Sequence, residues 1–111
     1  MPFFKVCPTN EISKSQLKKI SLNGSDILIT QSSDERYWAF DATCTHADKP
    51  LEKGKWNPET MELTCPFHKA VFAISEKGAV KAPPAFVALN VYNVETRIEN
   101  ELAYIFLEME G

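Results

Sequence analysis

Both histidines of the chain and two of its three cysteines fall in one proline-punctuated stretch, as Cys44-Thr45-His46 and Cys65-Pro66-Phe67-His68. The spacing is C-x-H, eighteen residues, then C-x-x-H, so a single pattern accounts for every histidine. Pro50, Gly54, Pro58, Pro66, Gly78, Pro83 and Pro84 punctuate the segment from Cys44 to Pro84, leaving only short apolar stretches around Leu63 and from Val71 to Ile74 able to pair. A loop-rich stretch of about forty residues in a small domain is usually functional or held by a ligand.

The flanks read as strands. Phe3 to Cys7 is a strand, and Pro8-Thr9-Asn10 turns the chain toward a short helical turn at Glu11-Ile12-Ser13. Asn23-Gly24 between Gln16–Leu22 and Ile27–Thr30 predicts a hairpin. Arg36-Tyr37-Trp38-Ala39-Phe40 is strand-like in its aromatic content, and such a set belongs to core and cross-strand packing. Beyond the loop-rich stretch, Val87, Leu89 and Val91 alternate with Ala88, Asn90 and Tyr92, and Leu102 to Leu107 follows the Glu99-Asn100-Glu101 turn. The expectation is an all-β chain, an antiparallel sandwich or barrel with a loop-rich insertion and little helix.

Composition narrows the function. With 111 residues, 44% hydrophobic and 24% charged, the chain fits one globular domain. Twelve Lys and Arg against fifteen Asp and Glu give a net charge of -3, which argues against a nucleic-acid surface. No apolar run approaches the ~20 residues of a membrane helix, and the start lacks a signal-peptide pattern, so a cytoplasmic protein without a membrane partner is expected. Three cysteines are too few for a disulfide scaffold and point to metal binding or reactive thiols. Cys7 has no partner motif and reads as a small packed residue, not a ligand.

Two short Cys/His pairs on separate loops can converge on one centre with mixed sulfur and nitrogen donors. Zinc accepts such a set, but structural zinc usually draws on C-x2-4-C knuckles and a helix-borne His pair. One Cys and one His from each loop suits a binuclear centre better, each loop giving its thiolate to one iron and its imidazole to the other. Two neutral imidazoles in place of two thiolates make the oxidised cluster formally neutral, which eases addition of an electron.

The pattern resembles the Rieske [2Fe-2S] family, and its surroundings agree. Pro50-Leu51 and Gly54 stand where Rieske ferredoxins and oxygenase domains commonly carry them, and Cys65-Pro66-Phe67-His68-Lys69-Ala70-Val71-Phe72 is similar to the family's C-P-x-H-x-x-x-F. The likeness is strong over residues 44–84 and weaker over the whole length. It implies a single domain over 1–111, with base strands at about 1–43 and 85–111 and a cluster-binding subdomain at about 44–84. It also implies one [2Fe-2S] cluster, with Cys44 and Cys65 on the inner iron, His46 and His68 on the outer iron, and Pro83-Pro84 as a covering loop.

Departures from the family indicate the subtype. Respiratory Rieske proteins carry an extra cysteine in each loop, where this chain has Lys49 and Phe67, and Ser and Tyr hydroxyls where it has Ala70 and Phe72. Without those donors the reduced cluster is less stabilised, and a potential on the order of -150 mV follows. Lys69 replaces a glycine common in relatives.

The resemblance thus implies a monomeric ferredoxin, not itself an enzyme, that carries single electrons from a ferredoxin reductase to a terminal oxygenase or reductase. An aromatic-ring dioxygenase or multicomponent monooxygenase is the expected acceptor, met through a transient interface below about 1,200 Å². Other readings are a small subunit of a nitrite-reductase-type complex and a zinc-stabilised binding module. The segment from Cys44 to Pro84 carries one net positive charge and the rest of the chain -4. Lys49 and Lys69, near the ligands in sequence, are therefore candidates to meet an acidic partner beside His46 and His68. Trp56 is either a docking residue or a loop anchor.

Overall fold

A computed structural model describes residues 2–43, 50–66, 70–82 and 88–109. Eleven strands lie among them: β1 (Phe3–Pro8), β2 (Lys18–Leu22), β3 (Ser25–Gln31), β4 (Tyr37–Asp41), β5 (Lys55–Asn57), β6 (Glu62–Thr64), β7 (Val71–Ala73), β8 (Ala79–Ala82), β9 (Val91–Tyr92), β10 (Val94–Glu99) and β11 (Leu102–Glu108). They pair antiparallel into three sheets, ordered β1-β11-β10, β2-β3-β4-β9 and β5-β6-β7-β8. Short 3-10 turns at Thr9–Glu11 and Ile74–Glu76 are the helical content of these residues. No helix among them is long and apolar enough to cross a membrane.

The second sheet is covered on both faces, which explains the unbroken run Ile27-Leu28-Ile29 in β3. Ile27 and Ile29 join Cys7, Ala39, Ile105 and Leu107 in a core facing the β1-β11-β10 sheet. Leu28, one residue out of phase, points the other way into a core with Phe40, Leu51, Leu63 and Phe72. Cys7 is thus the packed small residue that its sequence context predicts. Its burial pushes the thiol pKa up. The predicted hairpin forms between β2 and β3, with Asn23 and Gly24 both at positive φ.

Two expectations are corrected. The stretch after Cys44 holds a four-stranded sheet instead of two short pairing segments. Lys55–Asn57 is a strand because it pairs with β6, and Asn57 Oδ1 accepts the amides of Glu59 (3.0 Å) and Thr60 (3.2 Å) to close the turn between them. Of the alternation read from Val87 to Tyr92, the described residues 88–92 form a strand only at Val91–Tyr92. Ala88–Asn90 makes single hydrogen bonds in place of a ladder, Leu89 N–H to the Gly78 carbonyl (2.9 Å) and the Asn90 carbonyl from Asp41 N–H (3.0 Å).

Candidate metal centre

Cys65 stands at the end of β6, buried to 1% exposure, with its thiol free of any disulfide. Its N–H donates to the Ala70 carbonyl at 2.8 Å, directly after the Thr64–Val71 pair, so the turn between β6 and β7 is pinned at its base. Cys44, His46 and Lys49 in the first motif, His68 and Lys69 in the second, and Pro83-Pro84 lie outside the described residues.

The stem of the first motif is pinned in the same way. Thr43 and Pro50 form an isolated antiparallel bridge, and Leu51 N–H donates to the Ala42 carbonyl at 2.7 Å. Ala42 N–H in turn reaches the Asp26 carbonyl at 3.0 Å, which ties this stem to β3. Ala42, Leu51, Cys65 and Ala70 belong to one buried cluster, so the two stems lie against a common core.

Gly54 explains how they come so close. A Cβ there would sit 2.7 Å from the Thr64 carbonyl oxygen and 2.9 Å from that of Leu51. Only a residue without a side chain lets the return of the first stem pass over the end of β6, one residue from Cys65. Gly78 joins the segment at Ala88–Asn90 to the β7–β8 turn: its φ is +74°, and a Cβ would fall 2.0 Å from the Leu89 carbonyl oxygen.

The side chains around Cys65 match the chemistry of its donor set. A buried thiol among Leu51, Ala70 and Phe72 meets no hydroxyl from positions 70 or 72, both fully buried. Thiolate at such a position needs a positive partner, which a metal supplies. The fit to an iron-sulfur centre rests on that free thiol, on the two pinned stems, and on the two Cys and two His of the motifs.

Trp56 faces the interior of this region as an anchor. Its indole N–H donates to the Gln31 carbonyl at 3.1 Å, and its ring stacks on Phe40 with centroids 6.1 Å apart. Between β9 and the end of β4, the Tyr92 hydroxyl donates to Asp41 Oδ1, three residues before Cys44. Burial first, then the hydrogen bond and charge of Asp41, push the Tyr92 pKa up to about 12. Sequence reading missed this pair, whose members are 51 residues apart with no local signal linking them.

Known proteins resemble this chain over most of its length. A family model described as Rieske [2Fe-2S] domain matches residues 2–93. Ferredoxin CarAc of Metapseudomonas resinovorans is 26% identical over 95 residues, covering 86% of either chain. The ferredoxin component of biphenyl 2,3-dioxygenase from Rhodococcus jostii (strain RHA1) is 26% identical over 111 residues, covering 100% of this chain and 96% of its own. A chain from the solved complex of reduced oxygenase and oxidised ferredoxin in carbazole 1,9a-dioxygenase has the same fold, with a TM-score of 0.76 at 23% identity and 97% of each chain covered.

Proposed function

The chain belongs to the Rieske [2Fe-2S] domain family, which holds one [2Fe-2S] cluster, and from that premise we propose that it is the ferredoxin of an oxygenase system. The observation that carries the reading is that two curated relatives, matched over most or all of this chain, are a ferredoxin and a dioxygenase ferredoxin component. The chain is then an electron-transfer component and not itself an enzyme. It receives electrons from a ferredoxin reductase and delivers them to an aromatic-ring dioxygenase or a multicomponent monooxygenase. When bound, the cluster supplies one-electron redox chemistry.

In this reading Cys44 and Cys65 hold the inner iron, and His46 and His68 the outer iron. The donor set of the two motifs and the buried free thiol of Cys65 support that assignment. Partners dock transiently near His46, His68, Lys49 and Lys69, and the carrier is a monomer. Residues 1–111 form one domain, with base strands at about 1–43 and 85–111 and a cluster-binding part at about 44–84, a division supported by a third sheet running from Lys55 to Ala82. A cytoplasmic setting suits the free thiols of Cys7 and Cys65.

The residues present at 70 and 72 set the expected potential. Ala and Phe offer no hydroxyl to the cluster sulfurs, so a value on the order of -150 mV is expected. The test is an absorption spectrum of the purified protein, then EPR after dithionite reduction. A red-brown protein whose reduced signal has the low average g of histidine-ligated clusters supports the reading. A colourless, EPR-silent protein with one zinc per chain and no iron after anaerobic reconstitution overturns it in favour of a zinc module.

A further inference from the structure

Lys53 and Lys55 flank Gly54, the residue pressed against the Thr64 carbonyl, and both line one depression of about 380 Å³ whose remaining walls are Thr64, Cys65 and Pro66. Lys55 is the register partner of Thr64, so its position is fixed by the sheet one residue from the buried thiol. Neither lysine has a carboxylate within ion-pair distance among the described residues. Lys5, Lys14, Lys18, Lys19, Arg36, Lys81 and Arg97 each have one. Glu52, the acid nearest Lys53 in sequence, is turned to Lys19 at 3.6 Å.

Two ammonium groups held on one wall without counter-ions repel each other, and an approaching carboxylate relieves that repulsion. Outside residues 44–84 the chain carries a net charge of -4, so most of its body repels an acidic protein while such a patch attracts one. Local attraction against general repulsion orients the encounter as well as permitting it. We infer that the Lys53–Lys55 wall forms part of the docking surface for a redox partner that carries carboxylates around its own electron-accepting centre. The inference rests on the electron-carrier reading and adds the chemistry of the partner surface. These two lysines lie on the sheet side of Cys65, apart in sequence from Lys49 and Lys69.

The test uses the oxidised, cluster-loaded protein and hexacyanochromate(III), a redox-inert paramagnetic trianion, followed by NMR. Selective broadening of the Lys53 and Lys55 amides and the Trp56 indole N–H is expected, reduced in Lys53→Glu and in Lys55→Glu. Lys77→Glu makes the same charge change at another unpaired lysine, beyond the opposite end of β7, and is expected to keep the broadening. A second readout is oxidation of the dithionite-reduced protein by ferricyanide, in which one electron leaves the cluster and ferrocyanide forms. At about 0.01 M ionic strength, where the Debye length is about 30 Å, Lys55→Glu is expected to slow this at least about fivefold and Lys77→Glu less than about twofold. Broadening centred on another face, or equal effects of Lys55→Glu and Lys77→Glu, overturns the inference. A colourless protein removes the rate measurement and overturns the carrier reading, while the broadening still reports on the lysine wall.

Discussion

The two faces of the second sheet do different work. On one, Ile27 and Ile29 meet Ile105 and Leu107 across a core of large aliphatic side chains that holds two sheets together. On the other, Ala42, Cys65 and Ala70 stand among the large residues, and Gly54 lets two backbone segments come within contact. Surface charge divides the same way. Every described Lys and Arg in residues 2–43 and 88–109 is ion-paired, whereas beside the third sheet Lys81 is paired with Glu76 but Lys53, Lys55 and Lys77 have no carboxylate partner among the described residues. The β1-β11-β10 side is filled with large side chains and its cations are paired, whereas on the third-sheet side backbone segments come close together and three of four described lysines stand without a carboxylate partner.

The sharpest way to break this division is at its seam. Gly78→Ala places a methyl 2.0 Å from a backbone carbonyl at a φ of +74°, and neither atom is the end of a flexible side chain. A loss of about 4 kcal/mol or more is expected in urea unfolding. Ile29→Ala acts on the base alone and should cost about 3 kcal/mol through a cavity between the sheets. The folded fraction should keep its iron content and visible spectrum, and loss of iron per folded molecule would erase the contrast between the two faces.

Gly54→Ala should do the reverse. Its cost in stability is smaller, about 2 kcal/mol, because its closest approach is 2.7 Å against 2.0 Å at Gly78 and its backbone is not left-handed, but its displacement falls on the stem beside Cys65. Iron content should drop out of proportion to the stability loss. Trp56→Phe keeps the stacking on Phe40 and removes the indole bond to Gln31, leaving that carbonyl unsatisfied at about 1 kcal/mol. An unchanged melting curve would return Trp56 to the docking role.

What the sequence makes legible follows from where each signal is local. Asn23-Gly24 specifies its turn by its own φ preferences, whereas the reason for the unbroken run Ile27-Leu28-Ile29 is the cover on both faces of β3, which the structure supplies. The spacing of Cys44, His46, Cys65 and His68 predicts a metal centre, and of these four only Cys65 is among the described residues. Lys55-Trp56-Asn57 carries no period-two apolar pattern, and pairing with β6 makes it a strand. Gly54 is visible as a glycine, but the reason for it is a carbonyl ten residues later. The Val87–Tyr92 alternation misleads because a strand needs a partner ladder, and Ala88–Asn90 has only single bonds.

Tyr92 offers the finest test, since its hydroxyl joins β9 to Asp41 where β4 leaves the base toward the first motif. Its pKa is raised in the folded state, from 10.0 to about 12, by burial first and then by Asp41. The folded protein therefore binds this proton more tightly than the unfolded chain. The associated stability is fully present below about pH 10 and is lost as pH rises through about 12. Other tyrosines and lysines titrate in the same range, so the informative quantity is the difference between wild type and Tyr92→Phe. That difference should be constant up to about pH 10 and shrink toward pH 12, because the phenylalanine variant has no proton to lose. The half-exposed position of the ring keeps the effect the smallest of the set. A difference that stays flat through that window would mean the two regions are joined by packing alone, without the charged hydrogen bond.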